Sequence, residues 1–409
     1  MSGHTLVIVE SPAKAKKIAG YLSDGLDSAT FDVLASVGHV RDLGKKADVP
    51  KEFQKAPWAR LAVNVDANFT PYYVVHTQKA DTIKTLKAAL KDADELILAT
   101  DEDREGEAIA WHLLEVLKPK VPVKRMVFNE ITPEAIREAV RNTRDVDMRL
   151  VEAQETRRII DRLYGYPVSE VLWKKIGREA KSAGRVQSVA VRMVVDRERE
   201  RIAHQAATYW DVRGSFTPGS FDAKLALLDG KKVANGSDFD DLGQLKTNDV
   251  VRVDEATAKA LATGLKDATF TVRSVTERPG TRKPKAPFIT STLQQGASGA
   301  LRWGSARTMR VAQSLYENGY ITYMRTDSTH LSEQAISAAR TQAKELYGEK
   351  FVADGPRQWS KTVKNAQEAH EAIRPAGDSF ATPQQLAGVL SGDELMLYEL
   401  IWKRTVASQ

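Results

Sequence analysis

Apolar positions along this chain fall into two patterns, short unbroken runs and helical stripes. Leu6 to Val9 is an apolar run ending at Glu10, which predicts a buried strand. Ser11 and Pro12 are helix-start residues, and Ala15, Ile18 and Leu22 form the predicted inner face. The plan recurs at "DELILATDEDREGEAIAWHLLEVLK", with a strand from Glu95 to Thr100, a turn over 101–106 and a helix from Glu107 to Leu117. A third unit puts Val127 and Phe128 in a strand and starts a helix at Pro133. Such alternation predicts an α/β domain with a largely parallel sheet up to about residue 147. From Met148 to about Ala203 the pattern is helical and strongly basic, and then period-two alternation predicts β structure to about Ser274. "ERPGTRKPKAP" reads as a linker. Beyond Phe288 helices dominate, interrupted by "GYITYMRTDS", Gly319 to Ser328. Its start favours extended structure, which places Ile321, Tyr323, Arg325 and Asp327 on one face. Tyr320, Thr322 and Met324 take the other, so Tyr320 is the expected core residue. The last helix runs to Gln409 with no stop signal, which predicts a fragment of a larger protein.

Length adds that 409 residues exceed one ordinary core, so two to four domains are expected. Lys and Arg outnumber Asp and Glu, 60 to 54. That surplus suits a polyanion-binding protein without requiring one. The absence of cysteine excludes disulfides, cysteine nucleophiles and thiolate zinc sites. No apolar run approaches the ~18 residues of a membrane span, and the start lacks the flanks of a signal peptide. A cytoplasmic protein with no membrane partner is expected.

Four clusters carry candidate chemistry. Asp101, Asp103 and Glu105 alternate directly after a strand, so an extended chain would project all three to one side, suiting a hard ion such as Mg²⁺. Gly106 permits the sharp exit into the helix. Glu10 also ends a strand, at the sheet edge where α/β proteins bind ligands, and Lys14 just beyond is placed to hold a phosphate. The bland alternative is acidic residues favoured at any helix N-terminus. Tyr323 with Arg325 forms the second cluster: a phenol needs nearby cations to act as a nucleophile, and arginine binds phosphate bidentately. The alternative is a hydrogen-bonded strand-end tyrosine. In the third, "NAQEAHEAIRPA", Glu371 with Arg374, or His370 with Arg374, would share a helix face, either for phosphate contact or as an ordinary solvated helix. In the fourth, Arg157, Arg158, Arg162, Arg185 and Gln187 would line a single-strand groove with Tyr166 or Trp173 as stacking surface, unless they are solvated helix faces.

Taken together the sequence resembles the bacterial type IA DNA topoisomerases. The matching runs include "LVIVESPAKAKKI", "SVGHVRDL", "ATDEDREGEAIAWHL", "FNEIT", "AQETRRIIDRLYGY", "SAGRVQSVAVR", "PFITSTLQQ", "YITYMRTDST" and "AHEAIRP", in family order over residues 6 to 375. "PWARLAVNVDANF" and "VKRMVFNEIT" resemble actinobacterial members. "IGREAKSAGR" lacks the family's usual Leu before "SAGR". The resemblance implies a multidomain α/β plus α architecture. Residues 1–147 would be a Toprim (Rossmann-like) parallel-sheet domain with an excursion near 38–62, and 148–206 a partial helical DNA-groove domain. Residues 207–283 would be a partial β-rich arch, and 284–409 a helical domain carrying the nucleophile.

It further implies that Tyr323 attacks a phosphodiester to form a 5′-phosphotyrosyl link, while Arg325 and Lys14 steady the phosphate. Glu10 would act beside the leaving 3′-oxygen, His370 would lie near the cleavage centre, and Asp101, Asp103 and Glu105, with Glu10, would hold Mg²⁺. Arg158, Asp161, Arg162 and Tyr166 would line the strand groove, including a cytosine-favouring pocket, beside Arg185 and Gln187. The expected partners are single-stranded and negatively supercoiled DNA, with no ATP, since the phosphotyrosyl ester stores the broken bond's energy and no P-loop motif is present. A nucleoid-associated monomer is expected, one that binds or cleaves single strands without completing strand passage. Two other classes remain: a Toprim nuclease or primase, which needs the acids but not Tyr323, and a non-catalytic DNA-binding module.

Overall fold

The structure, a computed structural model, describes residues 3–23, 29–177, 179–359 and 371–409. The chain divides into two compact units, one formed by Met1–Leu163 with Arg282–Gln409 and the other by Tyr164–Thr281.

The first unit is built on a four-stranded sheet, wholly parallel, in the order Ala29–Ala35, Gly3–Val9, Glu95–Leu98, Val123–Arg125. Alternation along the Gly3–Val9 strand divides its side chains between two cores. Leu6 and Ile8 join Leu96 and Leu98 beneath Leu86, Ile109 and Leu113, while Val7 and Val9 join Ile97 and a larger cluster on the other face. That second cluster takes in the helices Thr290–Leu301, Ser305–Glu317, Glu333–Tyr347 and Gly392–Ser408. The Ser305–Glu317 helix buries Thr308, Val311, Ala312, Leu315 and Tyr316, a single stripe at helical spacing. The Gly392–Ser408 helix opens with a Ser391–Glu394 capping box. The strand expected at Val127 and Phe128 is instead Val123–Arg125, with Phe128 buried in the loop that follows. Arg125 is the reason: its guanidinium is fully buried, so a charged residue occupies an interior strand position.

The second unit carries an antiparallel pair, Arg213–Phe216 with Phe221–Lys224, and a three-stranded sheet of Leu227–Leu228, Lys231–Val233 and Val250–Val251. Its small core is Val233, Val253 and Ala258. The β structure expected to about Ser274 stops earlier, because Asp254 caps a helix at Glu255–Gly264. The helix Gln187–Ala203 buries none of its residues.

Candidate active site

The acidic turn forms at the carboxyl end of the Glu95–Leu98 strand. Asp103 caps the Arg104–Leu117 helix, its side chain accepting from the Gly106 amide at 2.7 Å, so the helix begins three residues earlier than its apolar pattern indicates. A Cβ on Gly106 would stand 2.2 Å from the Asp101 carbonyl oxygen, so only glycine admits this turn. That carbonyl is held from its other side by Arg125 Nη2 at 2.7 Å. Arg125 also donates to Leu98, Met126 and Glu107, and Glu107 accepts from Arg144 and the Asp147 amide.

The three acids do not project together as an extended chain would have them. Asp101 turns inward, its Oδ1 accepting from Lys14 Nζ at 2.5 Å and from the Tyr316 hydroxyl at 3.1 Å. Asp103 Oδ2 accepts from the Tyr323 hydroxyl at 2.6 Å. Glu105, in the first helical turn, lies 3.7 Å from His39 and 3.3 Å from Arg325. Glu10, Asp101, Asp103, Glu105 and Arg325 all line one crevice of about 420 Å³, together with Arg310 and Gln313. The four carboxylates are hard oxygen donors of the kind Mg²⁺ takes, so the set fits the ion by chemistry. Among the described residues, no three or more His, Asp or Glu side chains are gathered closely enough to hold a metal ion. Asp101 and Asp103 each commit oxygens to neighbours instead.

Lys14 is wholly buried, 2.5 Å from Asp101 and 3.5 Å from Glu10, and so does not line the crevice. Burial would lower its pKa, but the Asp101 and Glu10 carboxylates outweigh that and hold it raised. Glu10 is pushed up to about 8, first by burial and then by Asp101, with Lys14 opposing. Its carboxyl is therefore a proton donor at neutral pH. Burial, then Asp101 and Asp103, drive the Tyr323 phenol well above its usual range, so the free phenol is protonated. The hydrogen bond from His39 depresses Glu105, helped by Arg325.

The expected Gly319–Ser328 strand does not form. Tyr323 is buried, as are Ile321, Thr322 and Met324 in sequence, while Tyr320 is only partly buried, so the two tyrosines exchange their expected places. Local alternation gives way to distant backbone partners. Tyr323 donates to the Asn129 carbonyl at 2.8 Å and Thr322 to that of Arg374 at 2.9 Å, while Ala376 donates to Tyr320 at 3.0 Å. Gly319 makes the preceding turn at φ 76°, where a Cβ would stand 2.3 Å from the Ile131 carbonyl oxygen.

His370 lies outside the described residues. Glu371 and Arg374 do not share a helix; the segment is extended, bridging Ile373 to Phe288 and Pro375 to Ile321. Arg374 is buried and donates to Glu371 at 2.5 Å and Glu130 at 2.9 Å, so it ties the core together and does not face a phosphate.

The groove candidates divide between the units. In the first, Arg157 is exposed, Asp161 is partly buried, Arg158 pairs with Asp42, and Arg162 donates to the Gly44 and Leu43 carbonyls at 3.0 and 3.1 Å. Beside Arg158, a cavity of about 270 Å³ is walled by Arg41, Tyr73, His76, His112 and Glu155. In the second unit, Tyr166, Arg185 and Gln187 are exposed, and Trp173 donates its indole N–H to Ala180, closing a turn.

Three side chains of the site escaped sequence reading: Tyr316, Arg125 and His39. Tyr316 sits on a helical core stripe and reads as packing; Arg125 reads as exposed. The run "SVGHV" could have drawn attention to His39.

This parallel sheet, with acids at its carboxyl edge, places the first part of the chain in a recognised class: a family model described as the Toprim domain matches residues 5–131. A second model, described as DNA topoisomerase, matches residues 145–409, and the chain belongs to the bacterial type IA DNA topoisomerases. It is 63% identical over 415 residues to DNA topoisomerase 1 of Mycolicibacterium smegmatis, covering 99% of this chain and 44% of that protein. It is 59% identical over 417 residues to DNA topoisomerase 1 of Streptomyces coelicolor, covering 100% and 43%. Full-length topoisomerase I from Thermotoga maritima superposes with a TM-score of 0.74 at 36% identity, covering 99% of this chain and 60% of that one. The chain thus spans less than half the length of these two curated relatives.

Proposed function

We propose that this chain carries the transesterification site of a type IA DNA topoisomerase. The carrying observation is the contact between the Tyr323 hydroxyl and Asp103, 220 residues apart in sequence, at the edge of a crevice lined by Glu10. Tyr323 Oη attacks a phosphorus of single-stranded DNA, forming an O–P bond as the P–O3′ bond breaks. Asp103 is the acceptor poised for the phenol proton, and Glu10, protonated near neutrality, gives a proton to the departing 3′-oxygen. Arg325, about half exposed on the crevice wall, holds the phosphate. Lys14 acts from beneath, fixing Asp101 and Glu10. Tyr323 is buried behind Asp103, so strand entry requires this contact to open.

Asp101, Asp103 and Glu105, with Glu10, would hold Mg²⁺, which when bound would supply positive charge to the phosphate, chiefly for resealing. Resealing reverses the same exchange of ester bonds and needs no ATP. Negatively supercoiled DNA is the substrate, its unpaired segments entering as single strands along Arg157, Arg158, Asp161 and Arg162, with Tyr166, Arg185 and Gln187 also contacting the strand. His370 joins the cleavage centre.

The test is a 5′-phosphotyrosyl adduct with a labelled single-stranded oligonucleotide, resolved under denaturing conditions. The chain is expected to form it and Tyr323→Phe to abolish it. Free cleaved product without adduct would point to a nuclease.

A further inference from the structure

Tyr316 touches both the Asp101 carboxylate and the ring of the nucleophile, Tyr323. It stands in the last turn of the Ser305–Glu317 helix, wholly buried, seven positions before the nucleophile. Its hydroxyl reaches Asp101 Oδ1 at 3.1 Å, the oxygen that also receives Lys14. Its ring meets that of Tyr323 edge-on, centroids 5.2 Å apart at 67°. The Lys14 ammonium lies 5.1 Å from the Tyr316 ring centroid. Nothing in the packing of a helical core stripe demands a hydroxyl here; a phenylalanine would fill the same space. The hydroxyl is accounted for by the carboxylate it meets.

We propose that Tyr316 is a positioning residue that registers the Asp101 carboxylate and the Tyr323 ring against each other; this rests on the transesterification reading above. The helix bearing it is anchored at both ends. Arg307 grips Asp393 bidentately, Ser314 donates to Glu394 at 2.6 Å, and the Gly319 amide closes back on the Tyr316 carbonyl at 2.9 Å. Tyr316 is therefore a fixed point, and the acid and the nucleophile are measured from it. Removing the hydroxyl leaves Asp101 Oδ1 held by Lys14 without its second donor, whereas removing the ring also takes away the edge contact to Tyr323.

Two variants of the full chain separate these roles. Tyr316→Phe keeps the ring, and its Mg²⁺ affinity, measured by calorimetric titration without DNA, is expected to fall about tenfold, as when a ligand's hydrogen-bond partner is lost. Its melting temperature should stay near that of the parent chain. Tyr316→Leu removes the ring, and adduct formation at saturating oligonucleotide is expected to slow by about 10²-fold with KM unchanged, the signature of a displaced nucleophile. Unaltered Mg²⁺ affinity in Tyr316→Phe overturns the hydroxyl's role. An unaltered rate in Tyr316→Leu, or a change confined to KM, overturns the ring's. Should Tyr316→Leu not fold, the Phe variant alone decides. If the parent chain forms no adduct, the transesterification reading fails, and the Mg²⁺ titration still decides whether Tyr316 holds Asp101.

Discussion

The two halves of the candidate site are held by opposite means. The acidic turn is fixed largely by near neighbours: Asp103 caps its own helix, Thr100 donates to the Gly106 carbonyl at 2.7 Å, and Arg125 clasps the Asp101 carbonyl from the adjacent strand. The tyrosine segment has almost no local support. Its backbone bonds run to Asn129, to Arg374 and Ala376, and to Thr290, three stretches far apart in the chain. A locally built acid half can keep its shape while the nucleophile half moves with the segments that hold it. That asymmetry suits a site whose tyrosine must be uncovered for a strand to enter.

The strongest challenge to a self-supporting acid half is Arg125→Met. It leaves Glu107 buried with less compensation and should cost about 3–5 kcal/mol in urea denaturation. A loss below ~1 kcal/mol would mean that Arg144 suffices and the turn stands without its clasp. On the other side, Gly319→Ala forces a side chain into a left-handed position against the Ile131 carbonyl. It should cost about 1–3 kcal/mol and lower adduct yield more than it lowers stability. Equal losses would mean that the tyrosine segment is as rigid as the acids. The smallest effect is a pH dependence. Glu10 has its folded pKa raised to about 8, so the fold favours the protonated carboxyl. The resulting stability is intact below the ordinary carboxyl range and is lost as pH rises through about 8. Glu10→Gln, which cannot ionise, should therefore gain in melting temperature relative to the parent chain between pH 5 and pH 9. A constant difference would remove Glu10 as the neutral-pH acid.

What could be read from the sequence follows the same division. The strand–turn–helix units were legible because parallel strands buried on both faces are written as apolar runs, and because Ser11 with Pro12, and Pro133, mark helix starts. The placement of the acids at one sheet edge followed from those units, but not the separate partners that Asp101, Asp103 and Glu105 turn to. The tyrosine segment was misread because, once past the Gly319 turn, its path is set by distant partners, Asn129 and Arg374. Arg125 and Lys14 were opaque for a related reason. A charge in a sequence reads as solvated unless its buried partner is known, and Glu107 and Asp101 are partners only once the sheet has formed.

The first compact unit is made of two stretches of chain separated by the whole of Tyr164–Thr281. On a ribosome adding ~5–20 residues per second, about 10–40 s pass between completion of the acidic edge and emergence of the segment bearing Tyr323. During that interval the sheet face carrying Val7, Val9 and Ile97 has only the Pro12–Ser23 and Pro133–Arg141 helices on it and waits for those of residues 290–408. Biogenesis therefore brings acid and nucleophile together late, and only after the intervening unit has had time to form.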